Sequence, residues 1–384
     1  MFQKIVYLKN ILIAIMILPF FKGKLKSNVI LIGGHDGKQY TDNGKALFEY
    51  LYHYTDYDVR WVINKDYRYK QNIKNYITRG SIKNYLYYFS SIGLFFSHSG
   101  SDVGPIIHKY VKPKAIVINL EHGIFGLKKM KFNNERDKKK ARIEDFFLCV
   151  SDFEKTIKAE SLDVDRDKLI VTGLPRFDSL HSHISSSSSE NVILFMPTWR
   201  EWYYGLSEEE FIQTDFFQSV SDVLENEQIM AVLKKHNYKI YVYLHFYFHN
   251  YIDTLNIKNG FVEVLDIDED VQKHLIQSDV LITDYSSVCW DFFYLDKPVI
   301  FYQFDQKRYE KERGAYINLD TDLIGPKAKD LDELITVLED TITNRQAVVE
   351  QFKPQKNKYF AFHDNQNCKR VLDSFENQLN REEI

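Results

Sequence analysis

Two histidines in this chain stand at the ends of apolar runs. His122 lies in Glu121-His122-Gly123 after residues 115–120, and His245 lies in Tyr243-Leu244-His245 after residues 240–244. An imidazole at a strand end can take or give a proton near neutral pH. Gly123 allows close approach beside the first histidine, and Lys128 and Lys129 add cations a few residues on. Arg200, in Met196-Pro197-Thr198-Trp199-Arg200, carries the planar fork that clamps a phosphate through two N–H groups. Arg313, before Gly314, is a second such group. Residues 280–302 read as strand, polar turn, helix and strand, with Thr283, Asp284, Ser286 and Ser287 in or beside the turn. A helix start offers free backbone N–H groups and a partial positive charge, which two serine hydroxyls complete as an anion cradle.

Each of these has a plainer reading: an edge-of-core histidine, with His249 near His245 as the alternative; an arginine stacked on Trp199; an ordinary helix cap. Together, two histidines, two arginines and two serines suit transfer of a phosphate-bearing group from an activated diphosphate. Cations and helix ends neutralise the leaving group while a histidine deprotonates the acceptor. The chain has no Gly-x-Ser-x-Gly, no P-loop, no Gly-x-Gly-x-x-Gly and no carboxylate cluster with metal spacing.

The elements that must position these residues follow from hydrophobic patterning. Short apolar strands alternate with helical stretches from residue 29 to 180, and again from 191 onward, which is the pattern of parallel α/β sheets. A helix over 154–161 is expected to start in a capping box, Ser151 to Glu154, and a helical segment is expected over 216–235. The five serines at 185–189 mark a hinge. The expected organisation is a membrane-associating segment at 1–26, a first Rossmann-like domain at 27–184, a hinge at 185–190, a second at 191–345, and a helical tail at 346–384 that packs back. Two such halves facing a central cleft place ligands at the carboxyl ends of their strands.

With 384 residues, 44% hydrophobic and 27% charged, the chain suits two folded domains. Its net charge of −4 argues against nucleic acid as the main partner. Three scattered cysteines, 149, 289 and 368, form no ligand spacing and fit a reducing compartment. The 26 tyrosines and 28 phenylalanines fit faces near carbohydrate or lipid headgroups, and equally an AT-rich coding sequence. Lysines at 4, 9, 22, 24 and 26 flank the apolar run 11–21, which is too short to span a bilayer. The expectation is an anchor lying in the membrane plane; the alternative is a first helix packed on the core.

The chain resembles the CDP-glycerol glycerophosphotransferase family, which primes and polymerises teichoic acids and capsular polymers. The resemblance is carried by residues 37–45 with Asn43, Glu-His-Gly at 121, Thr-Gly-Leu-Pro-Arg-Phe-Asp at 172, Met-Pro-Thr-Trp-Arg at 196, residues 281–292, Asp-Lys-Pro-Val-Ile-Phe-Tyr at 296 and Arg-Gly-Ala-Tyr at 313. It implies the GT-B fold, held on the cytoplasmic membrane face. It also implies in-line attack by an acceptor hydroxyl on the phosphate next to glycerol or ribitol, releasing CMP. By motif position His122 looks like the general base, and His245 is expected to be catalytic with it. His245, Thr283, Asp284, Ser286 and Ser287 look like donor-side residues, with Arg200 and Arg313, while Asn43, Gly123 and Lys128 fall on the acceptor side. The implied partners are CDP-glycerol or CDP-ribitol, a lipid-linked or polymeric glycan and the membrane surface. No cofactor is implied, since the CDP-alditol is a substrate, and the only metal left open is a loosely bound magnesium ion. The family often reads Trp-His-Gly-Thr-Pro-Leu-Lys where this chain has residues 121–128, and Lys-Leu-His-Pro where it has 243–246. The alternative is a GT-B glycosyltransferase using a nucleotide sugar. A chain of this length, without an added N-terminal domain, is expected to be a primase or capsule-type transferase.

Overall fold

The structure is a computed structural model that describes residues 2–21, 27–67, 73–130, 143–184, 190–255, 257, 259–266 and 269–382. The expected serine hinge and Lys22, Lys24 and Lys26 lie outside the described residues. The chain forms two compact units. The first comprises Met1–Ile124, Phe132–His181 and Tyr359–Ile384; the second comprises Phe125–Lys131 and Ser182–Lys358.

The first unit is built on seven parallel strands: β1 (Val29–Gly33), β2 (Asp58–Ile63), β3 (Tyr76–Thr78), β4 (Gly93–Phe96), β5 (Ile116–Asn119), β6 (Phe146–Cys149) and β7 (Leu169–Val171). Their spatial order is β3-β2-β1-β4-β5-β6-β7. Central strands such as β1 and β4 are buried at every position, because helices cover both faces of a parallel sheet and leave no solvent side. Strand β1 sits in register with both neighbours, Leu31 opposite Arg60 on one side and Leu94 on the other. Between β1 and β4 the strand order reverses, and there the loops splay apart at the carboxyl edge and leave room for a ligand.

The second unit repeats the plan with β8 (Val192–Met196), β9 (Lys239–Val242), β10 (Val262–Val264), β11 (Val280–Thr283), β12 (Val299–Tyr302) and β13 (Lys327–Ala328), ordered β10-β9-β8-β11-β12-β13 and parallel throughout. Its switch point lies between β8 and β11, where the Pro197 and Asp284 loops emerge. Strand β13, only two residues long, carries no apolar run that patterning could detect.

One local expectation is refined and two are corrected. The helical segment expected over 216–235 is two helices, because Asn226 accepts the N–H groups of Gln228 and Ile229 and caps a new start. Ser151 caps its helix by accepting the N–H of Glu154, but the Glu154 carboxylate accepts from Val150, one residue earlier than a capping box requires. The tail divides: Arg345–Phe352 stays with the second unit, and Asn367–Glu382 rejoins the first, where Asp178 accepts the N–H groups of Asn367 and Cys368.

Helix α1 (Phe2–Phe21) is 20 residues long and docks along one stripe onto α2 (Ile82–Ser90). Ile11 and Ala14 are buried in this contact, Tyr7, Ile17 and Leu18 pack around them, and Asn10 donates to the Gly80 carbonyl at 2.9 Å. The opposite stripe is open, with Leu12 63%, Met16 66% and Phe20 77% exposed. The helix starts well before the apolar run at 11, so the expectation of a segment too short to span is corrected: by length and composition it can cross a membrane.

Candidate active site

In the second unit one buried charge ties the β8 and β11 loops together. Arg200 has no exposed surface. Its Nε and Nη2 donate to the two oxygens of Asp305 at 2.7 and 3.0 Å, and Nη1 donates to the Thr198 carbonyl at 2.5 Å. Nη1 also lies 2.8 Å from Asp284 Oδ2, while the other Asp284 oxygen accepts the Thr198 N–H at 2.9 Å. The rings of Tyr285, Phe216, Phe304 and Tyr309 surround the guanidinium at 4.9 to 5.7 Å. Burial works against the charge, but Asp284 and Asp305 outweigh it and raise the pKa. The expected outward clamp is therefore corrected: Arg200 is a strut whose donors face Asp284, Asp305 and a backbone carbonyl. Asp305 stands 105 positions along the chain, beyond the reach of any spacing argument. Thr283 is likewise turned inward, donating to the Met196 carbonyl at 2.6 Å and joining β11 to β8.

Ser286 and Ser287 are half-buried at the start of the helix Val288–Tyr294; Ser286 Oγ accepts the Val288 N–H at 3.4 Å, and Ser287 makes no capping bond. Exposed His245 accepts the Tyr247 N–H and stacks with Trp199 and Tyr247, which places it beside the β8 loop; the side chain of His249 lies outside the described residues. Arg313 reaches Glu201 Oε2 at 2.6 Å, and Lys128 Nζ lies 3.4 Å from Glu201 Oε1. Lys128 thus lies in the second unit, with Glu201 and Arg313, and not in the unit of His122. The segment that carries it is sewn to the second unit by Tyr316 N–H to Gly126 carbonyl and Lys129 N–H to Gly314 carbonyl, at 2.7 and 2.9 Å.

The first unit carries the other histidine. His122 is exposed, its Nδ1 lies 3.3 Å from the Ser97 carbonyl, and its ring stacks on His98 at 4.5 Å and 10°. A carbonyl only accepts, so Nδ1 is the donor in this contact, and Nε2 is the ring nitrogen left for another partner. Burial lowers the pKa of His98, and His35 and His122 lower it further, so the stacking partner stays neutral. His35 and His98 leave β1 and β4 at the switch point. Patterning missed both, although His98 is itself a strand-end histidine.

The loop bearing His122 is held from behind. Asn43 is fully buried and donates to the carbonyls of Leu120 and Glu121 at 3.2 and 2.7 Å, while accepting the Arg176 N–H at 3.1 Å. Asn43, expected on the acceptor side, lies in the unit of His122 and is a bracket for its loop. Arg176 pairs with Asp42 at 2.9 Å and donates to the His122 carbonyl at 3.3 Å. Glu121 adopts φ of 62°, a left-handed turn unusual for a residue with a side chain, and its N–H is held by Asn119. Its carboxylate is buried 3.5 Å from Lys158, which also meets Glu154 at 3.2 Å and donates to the Leu148 carbonyl at 2.6 Å. That pairing explains how a carboxylate stands where the family often has tryptophan. Gly123, half-buried, follows directly. Among the described residues no group of three or more His, Cys, Asp or Glu side chains is placed to hold a metal ion.

Two Rossmann-like units of the GT-B fold thus carry an exposed imidazole in the first and, in the second, two cations that share a carboxylate. The sequence model of the family described as CDP-Glycerol:Poly(glycerophosphate) glycerophosphotransferase matches residues 15–377, and the chain belongs to that family. It is 27% identical over 373 residues to a teichoic acid glycerol-phosphate transferase of Staphylococcus aureus, covering 90% of this chain and 92% of the relative. It is 24% identical over 376 residues to a teichoic acid poly(ribitol-phosphate) polymerase of Bacillus spizizenii, covering 91% of this chain and 56% of the relative. Against three other long relatives it spans 38% to 49% of their length. The structure of the wall teichoic acid polymerase TagF shares the fold, with a TM-score of 0.72 and 21% identity over 99% of this chain and 97% of the other.

Arg200→Met removes the strut and leaves Asp284 and Asp305 buried without their cation. The expected loss is about 3–5 kcal/mol of unfolding free energy, read by urea denaturation, a size reserved for breaking a buried pair. A surface arginine would cost about 0.5 kcal/mol or less.

Proposed function

We propose that this protein transfers glycerol phosphate or ribitol phosphate from a CDP-alditol to a hydroxyl of a lipid-linked or polymeric glycan, releasing CMP, in teichoic acid or capsular polymer synthesis. The observation that carries the reading is His122: an exposed imidazole whose Nδ1 is turned to the Ser97 carbonyl, leaving Nε2 for an acceptor hydroxyl, in a chain of this family. Nε2 takes the proton of the acceptor hydroxyl. The acceptor oxygen attacks the phosphorus next to the alditol, the bond from that phosphorus to the bridging oxygen breaks, and its electrons leave with CMP. Lys128, Arg313, His245 and the hydroxyls of Ser286 and Ser287 hold the diphosphate and offset the charge that grows on the leaving oxygen. Arg200, Asp284 and Thr283 act through the loops they tie, and Asn43 through the loop of His122. The CDP-alditol is a substrate consumed in each turnover, its phosphoalditol passing to the acceptor and its CMP released.

The alternative, transfer of a sugar from a nucleotide donor, uses the same fold, since a fold does not by itself choose a reaction. The comparison that tests the reading is CMP release from CDP-glycerol and from CDP-ribitol, each with a lipid-linked glycan acceptor. His122→Ala is expected to lower kcat about 10²–10⁴-fold while the protein stays folded, as loss of a general base does. Undiminished CMP release by the variant would remove His122 from the mechanism.

For α1 we propose that the open stripe lies on the cytoplasmic face of the cell membrane, its apolar side chains at the acyl boundary and Lys4 and Lys9 among anionic headgroups. Replacing Leu12, Met16 and Phe20 by glutamine spares the buried Ile11 and Ala14. This triple variant is expected to lose co-sedimentation with anionic vesicles while keeping the wild-type melting temperature. Wild-type protein that resists alkaline carbonate extraction would instead mean a helix that spans.

A further inference from the structure

The cation pair of the second unit is not open to solvent on equal terms with other surface charges, because a carboxylate of the same unit already holds it. Glu201 follows the Arg200 strut directly and opens the short helical turn Glu201–Tyr203, so its backbone is fixed while its side chain remains 51% exposed. Its two oxygens divide between the cations, Oε2 to Arg313 Nη1 at 2.6 Å and Oε1 to Lys128 Nζ at 3.4 Å. These three side chains line a small cavity with Thr198, Trp202 and Tyr309. Two polar atoms are buried there without a hydrogen-bond partner in the protein, Thr198 Oγ1 and Arg313 Nε. A buried orphan donor is costly, and the bland remedy, a local side-chain partner, is absent for both. Burial lowers the pKa of Lys128, and the neighbouring Arg313 lowers it further, so the two cations crowd each other and gain from a shared anion.

We propose that Glu201 is a stand-in for the donor diphosphate: in the unliganded protein its carboxylate occupies the place between Lys128 and Arg313 that phosphate oxygens take when a nucleoside diphosphate binds. This rests on the reading under Proposed function, and adds a residue that decides which anions enter. The carboxylate keeps two close cations from repelling each other before the donor arrives. It also sets a threshold, since a singly charged anion gains nothing by replacing it, whereas a diphosphate brings more charge and acceptors enough to reach the Thr198 hydroxyl and Arg313 Nε. Glu201 itself is half exposed, so water takes up its charge as it leaves and displacement is cheap. Glu201 then swings outward, its backbone still held by the strut.

The test is titration of the full chain with CDP and with inorganic pyrophosphate at low salt, comparing wild type, Glu201→Gln and Lys128→Met. Glu201→Gln keeps the shape and removes the competing charge, and is expected to bind both probes about two- to fivefold more tightly, the size of an exposed ion pair no longer to be broken. Lys128→Met is expected to bind both more weakly. If Glu201 serves only to orient Arg313, Glu201→Gln binds more weakly as well, and that result overturns the proposal, as does affinity equal to wild type. Glu201→Ala provides the same comparison should the glutamine variant fail to fold, because loss of the charge alone sets the sign. Wild-type protein that binds neither probe would overturn the donor-site reading itself, a different failure from a wrong sign in the variants.

Discussion

A single guanidinium, sealed from water, organises the second unit. An arginine buried without partners would cost far more than the marginal stability of a domain, so Arg200 is tolerable only where Asp284 and Asp305 meet it at hydrogen-bond distance and aromatic rings close over it. That requirement fixes three loops at once, those leaving β8, β11 and β12. Tyr285 and Tyr309, stacked at 3.5 Å and 4°, extend the constraint to the helix Gln306–Glu312 that ends just before Arg313. The serines of the helix start, Glu201 and Arg313 hang from the parts so fixed. A rigid charged interior thereby carries a polar surface that is free to exchange partners.

The first unit solves a related problem with a different bracket. His122 is exposed, yet its loop is held by a buried amide, Asn43, a left-handed Glu121 anchored on Lys158, and the stack on His98. Both sets of loops arise where the strand order reverses or next to it. That is the place a doubly wound sheet offers for a ligand. What the sheet does not choose is the reaction. In the proposed reading that choice falls to His122 and to the cations gathered around Glu201.

Much of this was legible in the sequence for a physical reason. Strands buried on both faces must be apolar throughout, so runs such as 29–32 and 280–283 announce themselves, and polar residues at their ends announce the loops. Which way those polar residues turn was not legible. Arg200 and Thr283 look like surface ligands by type, but their partners, Asp305 and the Met196 carbonyl, are brought to them only by folding. Lys128 follows His122 in the chain and was expected beside it, yet backbone hydrogen bonds to Gly314 and Tyr316 hold its segment on the other unit. Glu154 left its expected capping bond because Lys158, one helical turn on, needed a carboxylate in the dark. Long-range charge pairing overrode a local signal in each of these cases.

The central claim is that the bond broken lies at phosphorus, and it is tested most directly by following that atom. CDP-glycerol or CDP-ribitol carrying radioactive phosphorus next to the alditol, incubated with enzyme and glycan acceptor, should give unlabelled CMP and place the label in the polymer as a phosphodiester. Label retained in released CDP, with the alditol alone moved to the acceptor, would show cleavage at carbon and contradict the account.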